Sequence, residues 1–255
     1  MSKKLCLITG GGSGIGRATA LKFAKNKIDT IIVGRREDPL IETKNSAGEF
    51  SDYIYVINCD ISNQEGINNL YNEIEKIFDK NVNILVNNAG ASSQVRSVAH
   101  IPKNQWDEVI NINLNSVYLL CQKFLKNMIK NNDGTIITVS SMAALKPGLL
   151  GGAPYGAAKS GVTNLMGAIN SEFSNNGVRA TAIMPGEVDT PILNNRAKVP
   201  DKDERETMMQ PEDLAEIIYL TAILNRRTNI ETVVVNATYK RDVSEDLNAA
   251  RKKTK

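Results

Sequence analysis

Tyr155 and Lys159 stand four residues apart in a segment whose apolar residues repeat with helical spacing. Residues i and i+4 share a helix face, so the phenol and the ammonium lie on the face that also carries Val162, Met166, Ile169 and Phe173. A phenol titrates near pH 10, roughly three units too high for ready proton exchange at neutral pH, and an adjacent ammonium favours its ionised form. The pair has the makings of an acid/base with a cation beside it. Lys159 interrupts an apolar stripe. It either faces inward, where burying an ammonium is costly unless its charge is used, or snorkels to water from near the helix start. A second stripe runs Trp106, Ile110, Asn113, Val117, Leu120, Phe124, Met128. Asn113 falls inside it, and a buried amide without partners costs about 1–3 kcal/mol.

A redox or group-transfer partner for such a pair is indicated at the other end of the chain. The first apolar run ends in Thr9-Gly10-Gly11-Gly12-Ser13-Gly14-Ile15-Gly16, followed by a helical pattern. Glycines let the backbone turn tightly and approach a pyrophosphate, and the following helix N-terminus offers free N–H groups and a partial positive charge. The spacing is T-G-x-x-x-G-x-G rather than G-x-G-x-x-G. After the second apolar run, where dinucleotide folds place a carboxylate against the adenosine ribose, the chain has Gly34-Arg35-Arg36. Without a carboxylate a 2′-phosphate is not repelled, and a guanidinium can clamp it. NADP(H) is therefore favoured over NAD(H), with Arg35 the first choice of clamp and Arg36 the second.

The elements that must position these groups alternate. Residues 5–9, 30–33, 53–58, 83–86, 135–139, 179–184 and 231–235 are short, almost continuous apolar or β-branched runs separated by helix-length segments. Strands buried on both faces read this way. The pattern predicts an α/β fold, a single doubly wound Rossmann-type domain with a seven-stranded, mainly parallel sheet and helices on both faces. Residues 1–238 are assigned to it and 239–255 to a polar C-terminal tail of the kind that is usually solvated. Two weakly patterned stretches, 91–103 and 191–206, are long loops of the functional sort.

Composition narrows the class. The apolar fraction of 42%, the charged fraction of 23% and the net charge of +3 are those of a globular enzyme-sized domain, with no basic excess for nucleic acid or an anionic membrane. No apolar run is long enough to span a bilayer, and the N-terminus lacks the apolar core of a signal peptide. Cys6, Cys59 and Cys121 form no Cys-x-x-Cys and no disulfide framework; reduced thiols in a cytoplasmic protein are expected. With His100 the one histidine, a histidine-built zinc site is excluded and no metal is expected.

In these residues the chain resembles the short-chain dehydrogenase/reductase family, over essentially its whole length except the tail. Thr9 to Gly16 matches the family's cofactor loop, with Gly10, Gly12, Ser13, Gly14, Ile15 and Gly16 as its contacts. Asp60-Ile61 is similar to the pair that meets adenine, and Asn87-Asn88-Ala89-Gly90 to the family's N-N-A-G string. Asn113, Ser141, Tyr155 and Lys159 match its catalytic tetrad; Ser140 is the other serine of the pair, and the family pattern favours the second. Pro185-Gly186, with Val188 and Thr190, is similar to the segment that grips the nicotinamide carboxamide. Ser13 stands where many NADP-preferring members carry a basic residue, so the phosphate clamp rests on Arg35 and Arg36.

The resemblance implies hydride transfer between NADP(H) and a carbonyl or secondary alcohol. Tyr155 would be the acid/base, Lys159 would also hold the nicotinamide ribose, Ser141 would orient the substrate oxygen and Asn113 would hold a water linking Lys159 to solvent. It also implies homotetramers or homodimers built on the helices of Asn113 and Tyr155. A small or medium alcohol or ketone is the expected substrate, and the chain end at 229–235 resembles members acting on 3-hydroxy acids; a 3-oxoacyl compound is the related option. The pocket walls are expected from 91–103, 142–154 and the segment after Thr190, with Leu149, Leu150 and Met184 apolar and Gly151-Gly152 a flexible rim. Lys146, Arg96 and His100 either meet a carboxylate or face solvent. The competing reading, a non-catalytic dinucleotide sensor on the same fold, should show losses in the tetrad, and none is present.

Overall fold

The computed structural model describes residues 4–79 and 81–254. Seven parallel strands form one sheet in the order β3-β2-β1-β4-β5-β6-β7. They are β1 (Leu5–Thr9), β2 (Asp29–Gly34), β3 (Ile54–Asn58), β4 (Ile84–Asn87), β5 (Gly134–Val139), β6 (Val178–Pro185) and β7 (Thr232–Val235). Each coincides with an apolar run of the sequence to within a residue or two. The sheet is parallel throughout, as βαβ crossovers require.

Side chains alternate across the sheet and feed two cores. Leu5 and Leu7 of β1 join one core, beneath α3 (Gln64–Ile77), α5 (Ser116–Lys130) and α6 (Ala153–Phe173). Cys6 and Ile8 join the other, beneath α1 (Gly14–Lys25), α2 (Glu37–Ser46) and α8 (Pro211–Ile223), the last preceded by the short α7 (Lys202–Glu206). The strand order reverses between β1 and β4, and the crevice at the carboxyl ends of these strands is where open α/β sheets bind ligands. Cys6 and Cys121 are buried, Cys59 is half-buried, and all three are free thiols.

Two expectations are corrected. The stripe through Asn113 is not one straight helix. The helix α4 (Lys103–Ile110) passes through a wide π turn at Asn111–Asn115 into α5. The turn changes the register, so Val109, not Trp106 or Ile110, is the fully buried residue upstream of Asn113. The tail is not simply solvated: it folds into α9 (Ser244–Lys252) and is tied down by Arg241 and Asp246, both buried. Arg241 donates to both Asp246 oxygens at 2.8 and 2.9 Å and to both Glu187 oxygens at 2.8 and 3.1 Å. Polar composition hid this, because the apolar content of α9 is small and its attachment is ionic.

Among the described residues no helix is long and apolar enough to cross a membrane.

Candidate active site

A cleft of about 850 Å³ opens at the carboxyl ends of the strands. One end is built by the β1–α1 turn. Gly10 and Gly14 have positive φ, 69° and 50°, which L side chains adopt at a cost. Gly16 has no room for a side chain: a Cβ there would lie 2.2 Å from the Gly10 carbonyl oxygen. The turn is braced by β4, where Thr9 Oγ1 accepts from the backbone N–H groups of Asn88 and Ala89, both at 3.0 Å. Asn88 in turn donates to the Thr9 and Gly10 carbonyls. Ser13 is the N-cap of α1 without a side-chain cap bond, and no acidic residue occupies the first turn. The first N–H groups of α1 are thus left for an anion. Arg35 and Arg36, at the end of β2, line the same end, are exposed, and make no ion pair among the described residues. This donor set fits a dinucleotide: free helix N–H groups for its pyrophosphate and uncommitted guanidinium groups for a further phosphate.

At the other end α6 delivers Tyr155 and Lys159. Its start is marked by Gly152 at φ 81° and Pro154 in the first turn, a favoured position because proline has no N–H to leave unpaired. Lys159 does not snorkel. It is 4% exposed, and its Nζ donates to the Val139 carbonyl at the end of β5, 2.7 Å away. Nζ also lies 5.4 Å from the centre of the Tyr155 ring. Asn113 is fully buried, and the π turn aims its Nδ2 at the carbonyls of Val109 and Ala91, both at 2.8 Å. Its Oδ1 has no protein partner. A Cβ added at Gly90 would lie 3.0 Å from that oxygen and 3.8 Å from Lys159 Nζ, so both groups flank the same glycine. Ser141 caps a short helical turn, Met142–Ala144, accepting from Ala143 N at 3.1 Å. Ser140, the other serine of the pair, points into the fold, where its Oγ donates to the Lys159 carbonyl.

The electrostatics differ from the simplest expectation. Burial pushes the Tyr155 phenol up from its usual value; the Ser141 hydroxyl and then the Arg96 and Arg196 guanidinium groups pull it back. Lys159 is not among those pulling it down. Burial lowers the Lys159 ammonium itself, to about 8. The ammonium therefore stays mostly charged at neutral pH but is held in place by a backbone carbonyl rather than by the phenol.

The placement of the expected residues divides cleanly. Gly10, Ser13, Gly14, Ile15, Arg35 and Arg36 line the cleft, as do Ala89 and Gly90. So do Ser141, Tyr155 and Lys159, together with Pro185, Gly186, Val188 and Thr190. Gly12, Gly16, Asn87, Asp60, Ile61 and Asn113 lie behind or beyond its walls. Asn87 donates to Thr138 Oγ1 inside the sheet, Asp60 accepts from Ser62 N, and Ile61 is buried in the core. Met184 is a core residue rather than a wall, and of Leu149 and Leu150 only Leu150 reaches the cleft. Lys146 is exposed on the cleft rim, and His100 is exposed away from it. Arg96 is buried on the cleft wall. Sequence reasoning missed Asn88 as the brace of the glycine turn and Glu187 as the link between the wall and the tail. The N-N-A-G string could have indicated the first; nothing local to Glu187 indicates a partner 54 residues away.

Residues 4–201 match the family model described as short chain dehydrogenase. The chain is 34% identical over 196 residues to a 3beta-hydroxysteroid dehydrogenase of Mediterraneibacter gnavus, covering 74% of this chain and 68% of that one. It is 32% identical over 235 residues to a 3-oxoacyl-(acyl-carrier-protein) reductase of Thermotoga maritima, covering 86% and 90%. Among solved structures, the closed form of a serine dehydrogenase complexed with NADP+ superposes with a TM-score of 0.83 at 27% identity, covering 94% and 97%.

Proposed function

From the premise that this chain belongs to the short-chain dehydrogenase/reductase family of oxidoreductases, we propose that it interconverts a secondary alcohol and a carbonyl compound with NADP(H), using Tyr155 as acid/base. One observation carries the reading: a single cleft has the Tyr155 phenol, the Ser141 hydroxyl and the Lys159 ammonium at one end and two unpaired arginines at the other.

When bound, the nicotinamide dinucleotide supplies or accepts the hydride. The residues of this chain do the rest. Arg35, with Arg36, holds the 2′-phosphate, and the start of α1 with Gly10, Gly12, Ser13, Gly14, Ile15 and Gly16 forms the pyrophosphate cradle. Asp60 and Ile61 stand at the adenine side, while Asn87, Ala89 and Gly90 border the cofactor's middle. Pro185, Gly186, Val188 and Thr190 hold the carboxamide end, and Lys159 holds the ribose. Ser141 orients the substrate oxygen by a hydrogen bond. In the alcohol-oxidising direction Tyr155 takes the hydroxyl proton as hydride leaves the carbinol carbon; in reduction it returns that proton. Burial raises the Tyr155 phenol, and the positive charge of the oxidised cofactor, when bound, would act in the opposite direction. The partnerless Asn113 Oδ1 beside Lys159 supports the reading in which Asn113 holds a water linking the ammonium to solvent.

Short hydroxy acids and 3-oxoacyl compounds are the substrate classes favoured, the first by the chain end and the second by likeness to the acyl-carrier-protein reductase. A single catalytic domain over 1–238 with a tethered tail, a cytoplasmic location, and dimers or tetramers formed through α5 and α6 complete the reading. The test is Tyr155→Phe. It should bind NADPH as the wild type does and lose turnover by about 100- to 10,000-fold; retained turnover would sink the assignment.

A further inference from the structure

Arg96 is 5% exposed and sits on the cleft wall. Its Nη1 is fully used, donating to the carbonyls of Leu150 at 2.7 Å and Gly151 at 2.9 Å. Those two bonds fix the plane of the guanidinium. The opposite edge is left over: Nε has no partner, and Nη2 has one long contact, 3.5 Å to Ser92 Oγ. That edge, with two parallel N–H groups, is the one that grips a carboxylate bidentately. No carboxylate lies within ion-pair distance of Arg96 among the described residues. Glu187, an acidic residue that also lines the cleft, is committed to Arg196 and Arg241.

The surroundings make this positive charge less comfortable still. A Cβ at Gly152, the N-cap of α6, would lie 2.8 Å from Arg96 Cδ, so the side chain packs against the positive end of a 21-residue helix. The Arg196 guanidinium, which also lines the cleft, repels it. Ser93, on the same loop and the same wall, is 3% exposed and its hydroxyl is also without a partner. A buried, unpaired guanidinium is costly, and Arg96 and Ser93 are both lining residues of the cleft that holds Tyr155.

We propose that Arg96 is a substrate-specificity residue: it binds the carboxylate of a short oxo or hydroxy acid, with the Ser93 hydroxyl as a second donor. Packing of Arg96 against the turn that begins α6 sets the carboxylate a few bonds from the carbon that exchanges hydride beside Tyr155. The free acid, and not a thioester, is then the substrate form. This rests on the oxidoreductase reading above and deepens it.

The experiment compares 2- and 3-hydroxy acids of short chain length with their methyl esters and with uncharged secondary alcohols, using NADP+ and following reduced-cofactor absorbance. The wild type should prefer an acid over its ester by about 100-fold in kcat/KM. Arg96→Met should lose about that factor on the acid and much less on the uncharged substrates, which feel only the loss of its pull on the Tyr155 phenol, with Arg96→Lys in between. Equal rates on acid and ester in the wild type would overturn the proposal without any variant being made. So would an equal loss on both in Arg96→Met, the mark of a residue that only clamps the Leu150–Gly151 rim. If uncharged alcohols or esters turn over and no acid does, the carboxylate subsite falls and the oxidoreductase reading stands. If nothing turns over, both fall.

Discussion

The Lys159 ammonium donates to the carbonyl of Val139, 2.7 Å away. The last residue of β5 thereby fixes a charge that the surrounding packing would otherwise reject. The Tyr155 ring beside it owes its position to the same helix, not to an ion pair with the lysine. Burial, and not this contact, sets the protonation behaviour of the ammonium.

Burial lowers Lys159 to about 8 from an ordinary value of 10.5. Between those values the unfolded chain holds the proton and the folded chain does not, so the group's contribution to stability improves as pH rises through that window. Below pH 8 its burial costs on the order of 3 kcal/mol. Lys159→Met should lack this dependence. The stability difference between wild type and variant, read from urea unfolding at several pH values, should shift toward the wild type from pH 8 to above 10. A flat difference would show that the ammonium is not held in a desolvated site.

Arg35→Ala should raise the KM for NADPH by about 10- to 100-fold, the loss expected for a charge-assisted contact to phosphate. KM for NADH should change little. Arg36→Ala should have the smaller effect of the two, because Arg36 is the N-cap residue of α2. Equal changes for both cofactors would count against the clamp.

Gly16→Ala should destabilise the protein and abolish cofactor binding together. The added methyl would meet the Gly10 carbonyl, a backbone atom that cannot step aside without opening the turn. Gly148→Ala is the control, since nothing lies within 4 Å of a Cβ there. Thermal melts with and without NADPH separate the two; a wild-type cofactor-induced shift in Gly16→Ala would be incompatible with the proposed cradle.

Arg241→Met should cost about 3 kcal/mol, the low end for breaking a buried ion pair, because Asp246 and Glu187 then keep Arg196 as their remaining guanidinium partner. Burial works against the Asp246 carboxylate, but Arg241 holds it below the usual range. The tether is therefore present at neutral pH and is lost as pH falls through that depressed value. Glu187 adjoins Gly186 and Val188 in the cleft wall, so KM for the cofactor should rise as well. Hydrogen exchange would report loosening in α9 and at 186–190 together if the two are coupled.

The amino-acid sequence by itself determined the sheet. Apolar runs bounded by polar segments bury the same residues whatever the details of packing, and all seven strands lie where those runs are. It also determined the local motifs, since the glycine turn and the spacing of Tyr155 and Lys159 are properties of neighbours along the chain. Asn113 was conspicuous as an amide in an apolar stripe, but the π turn that aims it was invisible, because helical periodicity assumes a constant residue count per turn. Whether Lys159 faced in or out depended on Val139, 20 residues away. Arg96 was one of three basic residues of undecided role until its burial separated it from Lys146 and His100. The tail's attachment through Arg241 to Glu187 joins groups 54 residues apart. Composition reports how many charges a segment has. Only the tertiary structure decides which are withdrawn from water, and thus which must find a partner and which are left to meet a ligand.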